Sequence, residues 1–317
     1  MNISIRYLAA LAVLLLTRVP LSAADTVALK QQWLAGKKYY QTVKTEQETK
    51  AEIAGQKMDN SMNMTIDLTM TVSPKVSGQP KRVIIRYERT AMQMTVNGQT
   101  MGFDSADANA GNDPLGLGKT LGATVGKELK CILNDQDQVE TIENYDEFVK
   151  SLAPGAVPGF DPSKMFSREA LTQMLQQGSL RAMPGKPVAA GDSWPFKTEV
   201  DMAQLGKVGV NGSYTYKGTV DHGGAKCAEI ATDGTLSMEI GGAGGGDSPL
   251  AGLGLAITDG SVKGTIWFDN QLGTARETQL VQEMTMSMKN PTDPSAKMVM
   301  PMKQHVTVSL TKIEDVK

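Results

Sequence analysis

Two tripeptides, Gly191-Asp192-Ser193 and Gly246-Asp247-Ser248, carry the residue types of a serine nucleophile. Such a serine attacks an ester only when a histidine takes its proton. The chain has two histidines, His222 and His305, and neither follows an aspartate by three residues, as the Asp-x-x-His box of Gly-Asp-Ser esterases requires. Leu117-Gly118-Lys119-Thr120 ends as a phosphate-binding loop ends, but the position that needs the first glycine holds Asp113. The pairs Asp135/Asp137 and Asp146/Glu147 stand in turn-like and helix-start contexts, where solvated carboxylates are expected rather than an acid-base pair. We assign no catalytic residue and expect a non-enzymatic protein without a cofactor.

Metal chemistry narrows in the same way. There is no Cys-x-x-Cys and no His-x-x-x-His, so the usual zinc patterns are absent. Methionine thioethers suit copper(I), and Met-x-Met pairs occur at Met62/Met64, Met92/Met94, Met284/Met286/Met288 and Met298/Met300/Met302. The same spacing is what ordinary packing on one face of a strand produces, and methionine is a flexible filler of irregular apolar space. Three readings stay open for this face: solid core, a deformable surface for an apolar ligand formed by Met62, Met64, Met284, Met286, Met298 and Met300, or copper. Cys131 and Cys227 are either bridged across a long loop or are two buried thiols, since sequence cannot place their Cα atoms.

The elements that position these residues are mostly strands. From 62 to 72, Met62, Met64, Ile66, Leu68, Met70 and Val72 alternate with Asn63, Thr65, Asp67, Thr69 and Thr71, which is a half-buried strand. The pattern returns from Met284 to Met288 and from Met298 to Leu310, on either side of the breaker-rich Asn290-Pro291-Thr292-Asp293-Pro294. Further strands are expected at about 38–52, 82–97, 125–134, 207–219, 226–239 and 261–270, with Trp194 opening another, and Asn97-Gly98 is a hairpin signal. In the middle, Tyr145, Phe148, Val149 and Leu152 share one helical face behind Asn144 as cap. A second helix is expected from about Pro162 or Ser167 to Gln177, with Leu171, Met174 and Leu175 inward. The glycine-rich stretch Gly241 to Gly254 reads as a flexible loop.

The expected fold is therefore mainly β with a helical insertion (α+β), a curved antiparallel sheet or incomplete barrel partly covered by two short helices. Residues 1–24 have the basic start, short apolar run and small-residue site of a signal peptide. A single β-rich domain follows at 25–317, made of a first strand set (25–143), the helical insertion (144–190) and a second strand set (191–317). A soluble exported protein, periplasmic or secreted, is expected, with no membrane span after cleavage. Lysine plus arginine number 32 against 34 aspartate plus glutamate, which gives no electrostatic reason to expect nucleic acid.

Several stretches together resemble a known family. They are Gln56-Lys57-Met58, Met92 to Phe103 with Asp104-Ser105, and Lys186-Pro187-Val188-Ala189-Ala190-Gly191-Asp192-Ser193-Trp194. Gly264-Thr265-Ile266-Trp267-Phe268-Asp269 and Met298 to Met302 complete the set. In this order they are similar to an exported bacterial family of unknown function, DUF6263, over about 30–313. The resemblance implies an envelope or secreted β-sheet protein and supplies no activity and no site residue. The layout is also similar to the lipoprotein carriers of the LolA/LppX type, curved incomplete barrels with helices over the open face. That second likeness is architectural only; from the methionine face an apolar small molecule or lipid is the expected partner, and a structural or interaction protein of the envelope, or copper(I) binding, is the alternative.

Overall fold

The computed structural model describes residues 26–53, 56–74, 76–107, 121–152, 168, 171–172, 183–201, 207–239, 256–289 and 297–316. Its strands are β1 (Lys37–Ile53), β2 (Gln56–Val72), β3 (Arg82–Val96), β4 (Gln99–Asp104), β5 (Glu128–Leu133), β6 (Val139–Ile142), β7 (Ser193–Asp201), β8 (Lys207–His222), β9 (Ala225–Glu239), β10 (Ala256–Asp269), β11 (Thr274–Lys289) and β12 (Lys297–Asp315). Between β6 and β7, the described residues hold one complete helix, α1 (Tyr145–Leu152). All strands form one antiparallel sheet in the order β6-β5-β3-β2-β1-β12-β11-β10-β9-β8-β7, with β4 paired to β3 off this path. The last strand thus joins the two halves of the chain by pairing with the first.

Cross-strand partners point to the same side of a sheet, so the register converts the period-2 pattern into rows. Thr90, Ile66, Val43, Val308, Thr278, Ile266, Ile230 and Tyr216 form one row from β3 to β8. The next row is Met92, Met64, Thr45, Val306, Leu280, Gly264, Thr232, Tyr214 and Trp194. Both rows belong to the apolar face.

The register slips beside the first row on four strands: Glu88 of β3, Lys217 of β8, Arg276 of β11 and Thr311 of β12 are extra residues without a facing partner. Such bulges bend a strand and increase its twist. The apolar face carries two core clusters, one on each arm of the sheet. The first arm buries Tyr39, Val72, Leu129, Cys131, Ile142 and the α1 residues Phe148, Val149 and Leu152; the second buries Trp194, Tyr214, Tyr216, Ile230, Ile266 and Phe268. Each aliphatic side chain so buried contributes roughly 1.5–3 kcal/mol.

Several expectations are met and others corrected. The mainly β, open antiparallel sheet is present, and Asn97 and Gly98 occupy the left-handed region (φ 51° and 80°) that a tight hairpin needs. Of the two expected helices, α1 is described. The second falls almost wholly outside the described residues, where Arg168, Leu171 and Thr172 are helical. The Asn144 side chain does not cap α1. Its Oδ1 accepts the Lys130 N–H (2.8 Å) and its Nδ2 donates to the Glu128 carbonyl (2.8 Å), tying the helix start to β5. Residues 1–25, Leu117 to Thr120, Gly241 to Gly254 and the 290–294 turn lie outside the described residues. No helix among the described residues is long and apolar enough to cross a membrane.

The bridge between Cys131 and Cys227 does not form. Both thiols are free and fully buried, on β5 and β9, with β3, β2, β1, β12, β11 and β10 between those strands in the sheet. Burial, with the Glu143 charge adding to it, pushes the Cys131 thiol up to about 12, and burial also raises that of Cys227. Iodoacetamide at neutral pH should therefore leave the native chain unmodified, while the urea-unfolded chain takes up label on both cysteines without prior reduction. Mass spectrometry of the intact protein reads both outcomes; a reductant requirement would show a bridge.

Candidate functional site: a cavity between the two arms

Residues 26–36, ahead of β1, run as a strap from one arm to the other. Val27 pairs with Val188 through both backbone bonds (2.8 and 2.9 Å), and Leu29 is buried in the second cluster. Gln32 N–H donates to the Gly273 carbonyl in the β10–β11 turn (2.9 Å). The very next residue is held by the opposite arm: Trp33 N–H donates to Asp137 Oδ2 (2.9 Å), and Lys81 Nζ donates both to the Trp33 carbonyl (3.1 Å) and to Asp137 Oδ1. Leu34 N–H then donates to the hydroxyl of fully buried Tyr39 (3.0 Å), whose ring meets Trp33 edge-on at 5.3 Å.

Each anchor is itself built. Asp137 adopts φ 60° in the β5–β6 turn and is 9% exposed, so the solvated carboxylate expected from sequence is instead a buried clamp. On the other side, buried Asp269 accepts the N–H groups of Gln271 and Leu272 and pairs with Arg276 Nε (2.8 Å), fixing the turn that presents Gly273. Gly273 has φ 67°, and a Cβ there would stand 2.7 Å from the Gln32 nitrogen, so only glycine lets the strap approach.

Beneath the strap lies a cavity of about 360 Å³, at the lower end of the roughly 300–1,000 Å³ usual for ligand sites. Its walls come from both arms. Leu68, Met70, Val83, Ile85 and Tyr87 stand on one side and Phe196, Val210, Tyr214, Val262 and Ile266 on the other, with Val308 and Leu280 between and Gln31 and Trp33 of the strap at one end. α1 backs the first wall through Phe148, which stacks on Tyr87 at 6.4 Å. Phe196 fills the space over Gly212, where a Cβ would stand 2.8 Å from the ring. Besides Trp33, Tyr87 and Tyr214, the polar residues among the described lining are few: Gln31, Gln41, Gln138, Thr232, Thr278 and the clamped Asp137.

The structure gathers the expected methionines on this same face but away from the cavity. Met62 faces Met94, Met64 faces Met92, Met284 faces Met302, Met286 faces Met300 and Met298 faces Met288. Met62, Met64, Met284, Met286, Met298 and Met300 are half-buried, and Met284 packs against the second cluster. Met70, rather than any of these six, lines the cavity. Sequence reasoning missed Trp33, Tyr87, Asp137 and Thr232; the alternation from Met62 to Val72 pointed toward this space through Leu68 and Met70.

Among the described residues no group of three or more His, Cys, Asp or Glu could hold a metal ion. Ser193 of the Gly-Asp-Ser stretch shares a hydrogen bond with Thr215 (2.8 Å), while Asp192 closes its own turn by accepting the Ala189 N–H (2.9 Å). His222 stacks on Trp267 (4.3 Å between centroids) and meets Glu277 at 3.2 Å, on the face opposite the cavity.

Replacing Asp137 with alanine removes the strap's hold on the first arm. Urea denaturation should show a loss of about 1–3 kcal/mol, the cost of stranding buried polar partners. Hydrogen exchange should quicken at Gln32, Trp33 and Leu34; Gly273→Ala, acting from the other arm, should quicken the same amides.

Residues 78–275 match a family of unknown function, DUF6263. No curated protein matches the chain. Among solved structures, one on lipid–protein interactions in lipovitellin is 8% identical with a TM-score of 0.49, covering 90% of this chain and 26% of that one, so this chain spans about a quarter of that one. DynF from the dynemicin biosynthesis pathway of Micromonospora chersina is 10% identical with a TM-score of 0.21, covering 91% and 86%. An outer membrane lipoprotein-sorting protein domain from Vibrio parahaemolyticus is 8% identical with a TM-score of 0.16, covering 87% and 85%. All three are remote likenesses, whereas the family match takes in most of the sheet and the whole helical insertion: the chain belongs to the DUF6263 family.

Proposed function

We propose that this protein is a non-enzymatic carrier or sensor of an apolar, lipid-like molecule, held in the cavity between the two arms. The observation that carries the reading is that the two core clusters face each other across an apolar cavity instead of merging into one core. A well-packed interior keeps few voids larger than a water molecule. The lining also lacks the parts of a catalytic centre. Among the described lining residues the one carboxylate is committed to Lys81 and Trp33, and there is no histidine, cysteine or serine.

The half-buried methionines extend the same face beyond the cavity, and flexible thioether side chains there would accommodate the remainder of a longer apolar chain. An exported location fits the N-terminal sequence and a ligand that needs carrying through water. A structural role with a solid methionine core draws less support, because the central rows enclose space.

The reading is tested by filling that space. Val308 sits at the centre of the first row on the cavity wall. Val308→Trp should leave the circular dichroism spectrum and the cooperative unfolding transition in place, at a cost below the roughly 1–3 kcal/mol of forcing bulk into a packed core. Mass spectrometry of organic extracts should find an apolar molecule with the unsubstituted protein purified without detergent, and none with Val308→Trp. Equal recovery from both, or from neither, contradicts the reading.

A further inference from the structure

Gln41 of β1 is an amide set into an apolar wall of the cavity. Residues two apart on a strand share a face, so Tyr39 and Val43 flank it along β1, while the register sets Leu68 of β2 and Leu310 of β12 on either side. Three of these neighbours are aliphatic. The hydroxyl of the fourth, Tyr39, lies at the strap, where it accepts the Leu34 N–H. Among the described residues the Gln41 amide has no hydrogen-bond partner. The residue also stands where the β1–β12 register slips at Thr311, and bulges re-aim the side chains beside them.

Reach singles this group out. Gln41 is half-buried, and its amide is open to the space it lines, whereas the unpaired Oγ1 of Thr232 is sealed within the wall of the other arm. In the unliganded protein, water satisfies an amide so placed. A saturated hydrocarbon filling the cavity displaces that water and leaves the amide dry and unpaired, which works against binding. A ligand that presents a polar group at the same point replaces the lost hydrogen bonds.

We infer that Gln41 sets the chemical class of the ligand: an apolar molecule carrying a hydroxyl or carboxamide group, seated with that group on the Gln41 amide and with its hydrocarbon part along Leu68, Val308 and Ile266. This inference rests on the proposed binding function and adds the residue that selects the ligand. Thr90 gives an internal control. It is 2% exposed with Oγ1 unpaired, on the same face but outside the cavity lining.

The test uses the full chain with the fluorescent probe N-phenylnaphthylamine displaced by octane, octanol or octanamide, the affinity of the probe itself being measured for every variant. Gln41→Met keeps the length of the side chain and removes the amide. It should weaken octanol and octanamide by roughly 3- to 10-fold, bind octane at least as tightly as before and leave the circular dichroism spectrum in place. Gln41→Leu should give the same pattern. Thr90→Val should raise the melting temperature with no change in any affinity. Octanol and octanamide bound equally by Gln41→Met and the unsubstituted chain, or weakened no more than octane, overturn the inference while leaving the binding function standing. Failure of both octane and the naphthylamine to bind the unsubstituted chain overturns the cavity reading, and this inference with it.

Discussion

The structure depends on a single constraint: Gln32 and Trp33, neighbours in the chain, are hydrogen-bonded to turns at opposite arms of the sheet. Between β5 and β10 lie six strand spacings, which in a flat sheet would separate those turns by roughly 29 Å. Adjacent Cα atoms are about 3.8 Å apart. The sheet must curl for both bonds to exist, and bulges on four of its strands are places where a strand can bend. A long sheet with one apolar face would otherwise leave that face in water. Curling turns each arm's face toward the other, and the strap closes one end of the trough so formed.

The cavity follows from the side chains that meet across this trough. Near its ends the arms are filled by large groups, Tyr39 and Phe148 in one cluster, Trp194 and Phe268 in the other. The joining strands β1, β12 and β11 present Val43, Val308 and Thr278 instead, and glycines stand in the second-arm rows at Gly264, Gly234 and Gly212. Short side chains at the fold of the trough leave the space that larger ones occupy in its arms.

Much of this fold was legible because it is local. Alternation from Met62 to Val72 fixed both the strand and its apolar face, Asn97-Gly98 marked a real hairpin, and the spacing of Tyr145, Phe148, Val149 and Leu152 marked α1. The rows were not legible, since register is set by partners far apart in the chain, as in Thr311 Oγ1 reaching the Tyr40 carbonyl at a separation of 271. For that reason the methionines, prominent in sequence, drew attention to one end of the trough, whereas the cavity sits where β-branched residues of many strands converge. The strap was invisible for the same reason: nothing local to Gln31, Gln32 and Trp33 says that Asp137, Lys81 and Gly273 will hold them. Asp137 shows the difference most sharply, a turn carboxylate by sequence and a buried clamp by structure.

The central claim is that the space between the arms is a site for apolar molecules, and locating such a molecule tests it most directly. Crystals soaked with bromooctane would report the bromine by anomalous scattering. A peak enclosed by Tyr87, Val308 and Ile266, within reach of both arms, is the expected result. Bromine found only along the methionine end of β11 and β12, or nowhere on the inner face of the sheet, would contradict it.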